Sequence, residues 1–156
     1  MANTQSMCTS FMSELMTATH NFGTAPVRAA STADTFKAAL YLASATVNAS
    51  TTAYSSTGEV TGTGYSAGGV TVTNATPPAS TNTSATAGTA YWTPSASITY
   101  TTVTLTTAFD AVLIYNSTQS NKAVSVHTFG SQTITAGTFT LTMPTNAAGT
   151  ALINIA

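Results

Sequence analysis

From Ser10 onward, Phe11, Leu15, Ala18 and Phe22 recur at steps of four, three and four, with Met12 and Met16 beside them. That spacing lines one face of a helix. Ser10 offers an N-cap hydroxyl, Glu14 places a carboxylate in the first turn, and Asn21 or Gly23, with Pro26 beyond, supplies the stop. One short amphipathic helix is predicted, and beyond it the apolar period falls to two. Phe36 to Ala43 reads as a strand. Shorter strands are expected over Glu59 to Tyr65 and Val70 to Asn74, paired across the turn Ala67-Gly68-Gly69. The stretch Asn74 to Gly88, with Pro77-Pro78 among small polar residues, has no periodicity and reads as an exposed loop. From Tyr91 onward strands follow closely, over Ser97 to Thr106, Phe109 to Tyr115, Ala123 to Phe129, Gln132 to Thr135, Thr138 to Met143 and Ala151 to Ile155.

Three details of this half constrain the sheet. Ile98 and Tyr100 fall on even positions while Val103 and Leu105 fall on odd ones, so a bulge near Thr101-Thr102 is needed to keep one face apolar. Phe109 to Tyr115 is apolar almost without alternation, the pattern of a strand covered on both sides. Phe139, Leu141 and Met143 alternate with threonines, which predicts a half-exposed strand. The predicted fold is all-β, a sandwich or jelly-roll-like domain over residues 26–156, preceded by an N-terminal arm and short α-helix over residues 1–25.

Composition sharpens this picture. The 156 residues carry three Lys and Arg (Arg28, Lys37, Lys122) and four Asp and Glu (Glu14, Asp34, Glu59, Asp110), where about a quarter of an ordinary chain is charged. Threonine and serine supply the polarity instead, 36 and 17 residues respectively. Three scattered cations cannot form the basic stripe that phosphate binding needs, so nucleic acid is not expected as a partner. With 43% apolar residues and a net charge of -1, the chain is expected to fold, and its near neutrality favours association. No positive leader region precedes Phe11 and no run approaches the ~18 apolar residues of a membrane span, so a protein made without export or membrane insertion is expected. Cys8 is alone, so packing rather than a disulfide or zinc must hold the fold.

Candidate chemistry is sparse. Gly64-Tyr65-Ser66-Ala67-Gly68 matches the G-x-S-x-G nucleophile elbow, but that motif needs a helix after the serine, and Val70-Thr71-Val72 continues as strand. His20 reads as a surface cation near the helix end, His127 as a partly buried imidazole with a hydrogen bond, and Asp34 as the cap of a turn. Asp34, Glu59 and Asp110 show neither calcium-loop nor paired-acid spacing, and the glycines lack a P-loop lysine. No enzyme activity and no cofactor or metal are expected. The aromatic residues Tyr91 and Trp92, with Tyr41, Tyr54, Tyr65 and Tyr100, fit packing better than a sugar-stacking surface.

Two stretches carry a resemblance. FKAALYLASATVNASTTAYSSTGEVTGTGYSAGGVTVTNA (Phe36 to Ala75) and AFDAVLIYNSTQSNKAVSVHTFGSQTITAGTFTLTMPTNAAGTALINIA (Ala108 to Ala156) resemble small virion structural proteins of tailed bacteriophages. Its most telling segments are FKAALY, GEVTGTGYSAGG, AVLIYN and TFGSQTITAG. The resemblance implies a particle protein, for which we expect a capsid decoration or cement protein. Such a protein binds the major capsid protein and itself, as a homotrimer, on the exterior of a virion made in the host cytoplasm. The alternatives are a tail, neck or fibre-base component or, in another class, a carbohydrate-binding module. The expected contact residues are Phe11, Met12, Leu15, Met16 and Phe22 of the arm, then Pro77 and Pro78.

Overall fold

A computed structural model describes residues 3–16, 19–22, 33–81 and 88–155. The frame is one long antiparallel hairpin of β6 (Ile98–Asn116) and β7 (Lys122–Leu141). Its turn places Ser120 and Asn121 at φ 53° and 60°, and Lys122 N–H donates to Gln119 O. Two left-handed central residues are the signature of the turn whose twist matches that of the strands it joins. β6 pairs on its other side with β2 (Phe36–Leu42), which pairs with β3 (Val70–Thr71), while β1 (Ser6–Met7) adds to β7, giving a five-stranded sheet in the order β1-β7-β6-β2-β3. A second antiparallel sheet holds β4 (Ala79–Ser80), β5 (Ala90–Trp92) and β8 (Ile153–Ile155). Its Trp92 and Ile153 enter the same core as Phe36, Leu113 and Val126. The fold is all-β, consistent with the predicted sandwich.

The bulge expected at Thr101-Thr102 is present. Thr102 has φ 54°, and the register with β7 shifts between Tyr100 and Val103. Ile98, Tyr100, Val103 and Leu105 are therefore all buried. Ala111 to Asn116 is buried without a break, and residues 138–143 alternate between exposed and half-buried as their pattern predicts.

Several boundaries differ from expectation. The two strands expected over 97–106 and 109–115 are one, as are the three expected over 123–143. Between the pairs Leu105↔Ile134 and Phe109↔Gln132 the chain advances four residues in β6 against two in β7, and between Phe109↔Gln132 and Ala111↔Thr128 it advances two against four. Two bulges that cancel keep the ladder running through Thr106-Thr107-Ala108 and Gly130-Ser131, whose small polar residues mimic a break. The hairpin expected between 59–65 and 70–74 does not form. Glu59 and Thr63 make isolated bridges to Tyr41 and Thr104, and β3 pairs with Lys37 and Ala38 instead.

The helix α1 spans Thr9–Met16, so Ser10 lies within it rather than capping it, and Glu14 stands beyond its first turn. Thr19 N–H donates back to Glu14 O at 2.9 Å, and residues 19–22 are not helical. Ala18, the third residue of the predicted stripe, lies outside the described residues. The described arm belongs to the body's own core, with Cys8, Phe11 and Phe22 packed into it. No helix among the described residues is long and apolar enough to cross a membrane.

Gly69 fixes the crossing of the glycine turn over β2. Its φ is +71°, and a Cβ there would lie 1.7 Å from Ala38 O. Gly69→Ala is expected to destabilise the fold by about 3 kcal/mol or more, from left-handed strain and overpacking together. Gly149 has φ +83° with open space around it, and Gly149→Ala is expected to cost only the strain, about 1 kcal/mol. Urea denaturation of both variants checks the difference.

Candidate functional site

The arm, the loop after β3 and the second sheet enclose an open apolar groove of about 250 Å³, lined by Phe11, Leu15, Phe22, Pro78, Tyr91, Trp92, Ile153 and Ile155, with Ala90. Its floor is an aromatic cluster. Phe22 stacks on Phe36 with ring centroids 4.4 Å apart, lies 4.6 Å from Trp92, and takes Phe11 edge-on at 5.7 Å. Trp92 is held in place by its indole N–H, which donates to Asn74 Oδ1 and Thr76 O. On the rim, Ile155 is 41% exposed, the one large apolar side chain among the described residues with such exposure.

Of the expected contact residues, Phe11, Leu15, Phe22 and Pro78 meet at this groove. Phe11 and Phe22 are 1% and 7% exposed, so their rings build its floor rather than project outward. Pro77 is exposed nearby but does not line it. The Met12 and Met16 side chains lie outside the described set. Trp92, Tyr41 and Tyr100 are buried in the core, where the packing reading placed them.

Behind the groove a polar cluster fastens the arm to the β6–β7 turn. His20 contradicts its expected surface position, being buried with Nε2 2.7 Å from Glu14 Oε2. Asn116 assigns its proton: Thr118 and Gln119 N–H donate to Asn116 Oδ1, so the amide nitrogen faces His20 Nδ1 and Asp34 Oδ2. His20 Nδ1 is therefore the acceptor, and Nε2–H donates to Glu14. Lys122 Nζ donates to the other Glu14 oxygen. Burial lowers the His20 pKa against the pull of Glu14. Burial alone would raise Glu14, but the hydrogen bonds from Lys122 and His20 hold it below the usual carboxylate range. Asp34, expected at a turn cap, is a buried hub that accepts from Asn21 N–H, Asn116 and Gln119.

A second buried carboxylate locks the glycine turn. Glu59 accepts from Tyr54 OH at 2.6 Å, and from Tyr65 OH and Gly68 N–H at 2.7 Å each. Burial and the bond to Glu59 push Tyr65 far above the ordinary phenol range. Tyr115, which donates to Gly68 O, is raised to about 12 by burial and by Glu59. Ser66, the serine of G-x-S-x-G, is exposed on this turn, which leads into β3. His127 lies half-buried with Nε2 2.9 Å from Ser125 Oγ, as expected, and burial pulls it down to about 4. No metal-binding cluster of His, Cys, Asp and Glu occurs among the described residues. The carboxylates of Glu14, Asp34 and Glu59 are the functional groups that sequence reasoning placed least well. Their one signal was rarity, since a charge kept in so neutral a chain has a specific partner.

Comparison with protein-family models, curated proteins and solved structures matches the chain to none of them.

Removing the Glu59 carboxylate strands three donors at once. Glu59→Ala is expected to lower stability by about 3 kcal/mol, and a urea-denaturation loss below about 1 kcal/mol would refute the locking role. The histidines set a pH dependence. Both have folded values below the ordinary 6.5, so the unfolded chain takes up protons first and their stabilisation, complete above that pH, fades as pH falls through it. The denaturation midpoint is expected to drop between pH 6.5 and about 4, with a shallower drop in His127→Asn. A flat profile would contradict the burial of both imidazoles.

Proposed function

We propose that this chain is a structural component of a tailed-bacteriophage particle, a decoration protein that binds the outside of the major capsid protein shell and works by contact alone. The resemblance of Phe36 to Ala75 and Ala108 to Ala156 to small virion proteins supports this reading. The observation that carries it is the groove, where residues of the arm, loop and second sheet form one apolar recess open to a neighbour. A recess of about 250 Å³ suits one large apolar side chain. Seating an aromatic ring buries on the order of 150–250 Å² of apolar surface, worth about 4–6 kcal/mol before association costs. One such contact is weak. A lattice presenting it at every shell subunit multiplies it without new chemistry, and the near-neutral surface adds no repulsion between adjacent copies.

The second reading within this class is a tail, neck or fibre-base component, and copy number separates the two. A decoration protein is present in numbers comparable to the shell subunits, a neck or tail-base protein in a small symmetric set. Ile155 offers a direct test because it is on the groove rim and exposed. Ile155→Glu is expected to leave the fold intact and lower shell occupancy at least tenfold, a change of about 1.4 kcal/mol. Co-sedimentation of wild type and variant with undecorated shells measures it, and equal occupancy would sink the groove as the contact.

A further inference from the structure

We propose that the open edge of β7 joins two copies of this chain, strand to strand and antiparallel, about a two-fold axis between Ala136 and Gly137. β7 has β6 along one side, while on the other β1 covers only Ser125 and Val126. From His127 to Leu141 no backbone group of another described element bonds that second side; the Gln132 side chain reaches back to Gly130 O within the strand itself. Such an edge is a template for another strand, and folded proteins blunt it with lysine, proline or bulges. Here the first two are missing. No Asp, Glu, Lys or Arg occurs from Ala123 to Ala156, and no proline before Pro144.

The remaining device, a bulge, selects the occupant. Between Leu105↔Ile134 and Val103↔Gly137 the chain takes two steps in β6 and three in β7, and Ala136 sits at φ 47°. The extra residue swaps the strand's faces, so Thr133, Thr135, Thr138 and Thr140 are all exposed while Ile134, Gly137, Phe139 and Leu141 are half-buried. A two-fold axis at this point sets Thr135 opposite Thr138 of the second copy, Thr133 opposite Thr140, and Ile134 opposite Phe139. Threonine meets threonine and apolar meets apolar, the pairings that stabilise adjacent strands. A regular strand would not follow the bend at Ala136. A second copy carries the same bend at the same distance from the axis, and a two-fold interface requires such self-complementarity.

The pairing concerns copies of this chain alone, so it is tested on the isolated full-length protein, apart from shell binding. Light scattering is expected to give the mass of two chains, in place of the three that the resemblance to virion proteins implies. In the Thr133→Cys, Thr140→Cys double variant, directly opposed residues with Cα atoms about 4.5–5.5 Å apart should oxidise to a disulfide-linked dimer. Either single variant should not, because like positions would lie seven residues apart along the paired strands rather than opposite one another, too far for a disulfide. Cys8 is buried, its thiol pushed up to about 11, and should stay unreacted. Thr138→Lys, an exposed position, should weaken dimerisation at least tenfold with an unchanged circular dichroism spectrum. A one-chain or three-chain mass would overturn the proposal. So would cross-linking of Thr133→Cys alone as fast as of the double variant, or an undiminished Thr138→Lys dimer.

Discussion

The pairing of β6 with β7 is the interaction on which the other contacts rest. β2 takes its position and register from β6, and the short β3 takes its own from β2. The arm is referred to the same hairpin twice, through β1 on Ser125 and Val126 and through the Asn116–Lys122 end that holds His20 and Glu14. A hairpin of this length needs bulges, because two long strands twist continuously and would otherwise carry the apolar side chains off the core. The shifts at Thr102, at Thr106 to Ala108 and at Ala136 are the places where that accumulated twist is released.

The scarce carboxylates are committed to this frame. Glu14 and Asp34 join the arm to the hairpin turn, Glu59 closes the glycine turn, and Asp110 accepts from Asn3, whose side chain also bonds Leu42 O and Val47 N–H. Asp34 and Glu59 work as many-armed acceptors, each satisfying backbone and side-chain donors that no single hydroxyl could satisfy together. A carboxylate surrounded by donors is stable where a lone one would be prohibitively costly to bury. The consequence reaches the surface. With Asp34 and Glu59 buried, much of the described exterior is threonine and serine, which meet neighbours by shape and hydrogen bonding.

How far the sequence disclosed this depends on whether the information was local. The Thr101-Thr102 bulge was legible because four apolar residues changed parity across it. The unbroken burial of Ala111 to Tyr115 and the alternation from Thr138 to Met143 were legible for the same reason. Strand continuity through Thr106 to Ala108 was not, since small polar residues suit a bulged ladder as well as a turn and only the opposite strand decides. Phe11, Leu15 and Phe22 were rightly singled out as an apolar set, but a spacing pattern does not say whether the surface it meets belongs to the same chain. His20 was misplaced because Asn116, whose amide meets its Nδ1, is 96 positions away in the chain, and no local pattern encodes such a contact.

The division between covered and open apolar surface follows from these constraints. Phe22 and Trp92 must pack together because each supplies the wall the other needs, and Trp92 is tied to Asn74 and Thr76 so that it cannot swing outward. That rigidity leaves the recess in front of them as a preformed hollow. A preformed hollow costs little conformational entropy to fill, so even a small recess can contribute usefully when it recurs on many copies. The open side of β7 obeys the same logic in hydrogen bonds instead of apolar area. Its backbone groups are already ordered by β6, and a second strand that follows its bend has only its own translational freedom to lose. A body made this way, rigid inside and neutral outside, is suited to joining a repeating assembly, where many modest contacts act together.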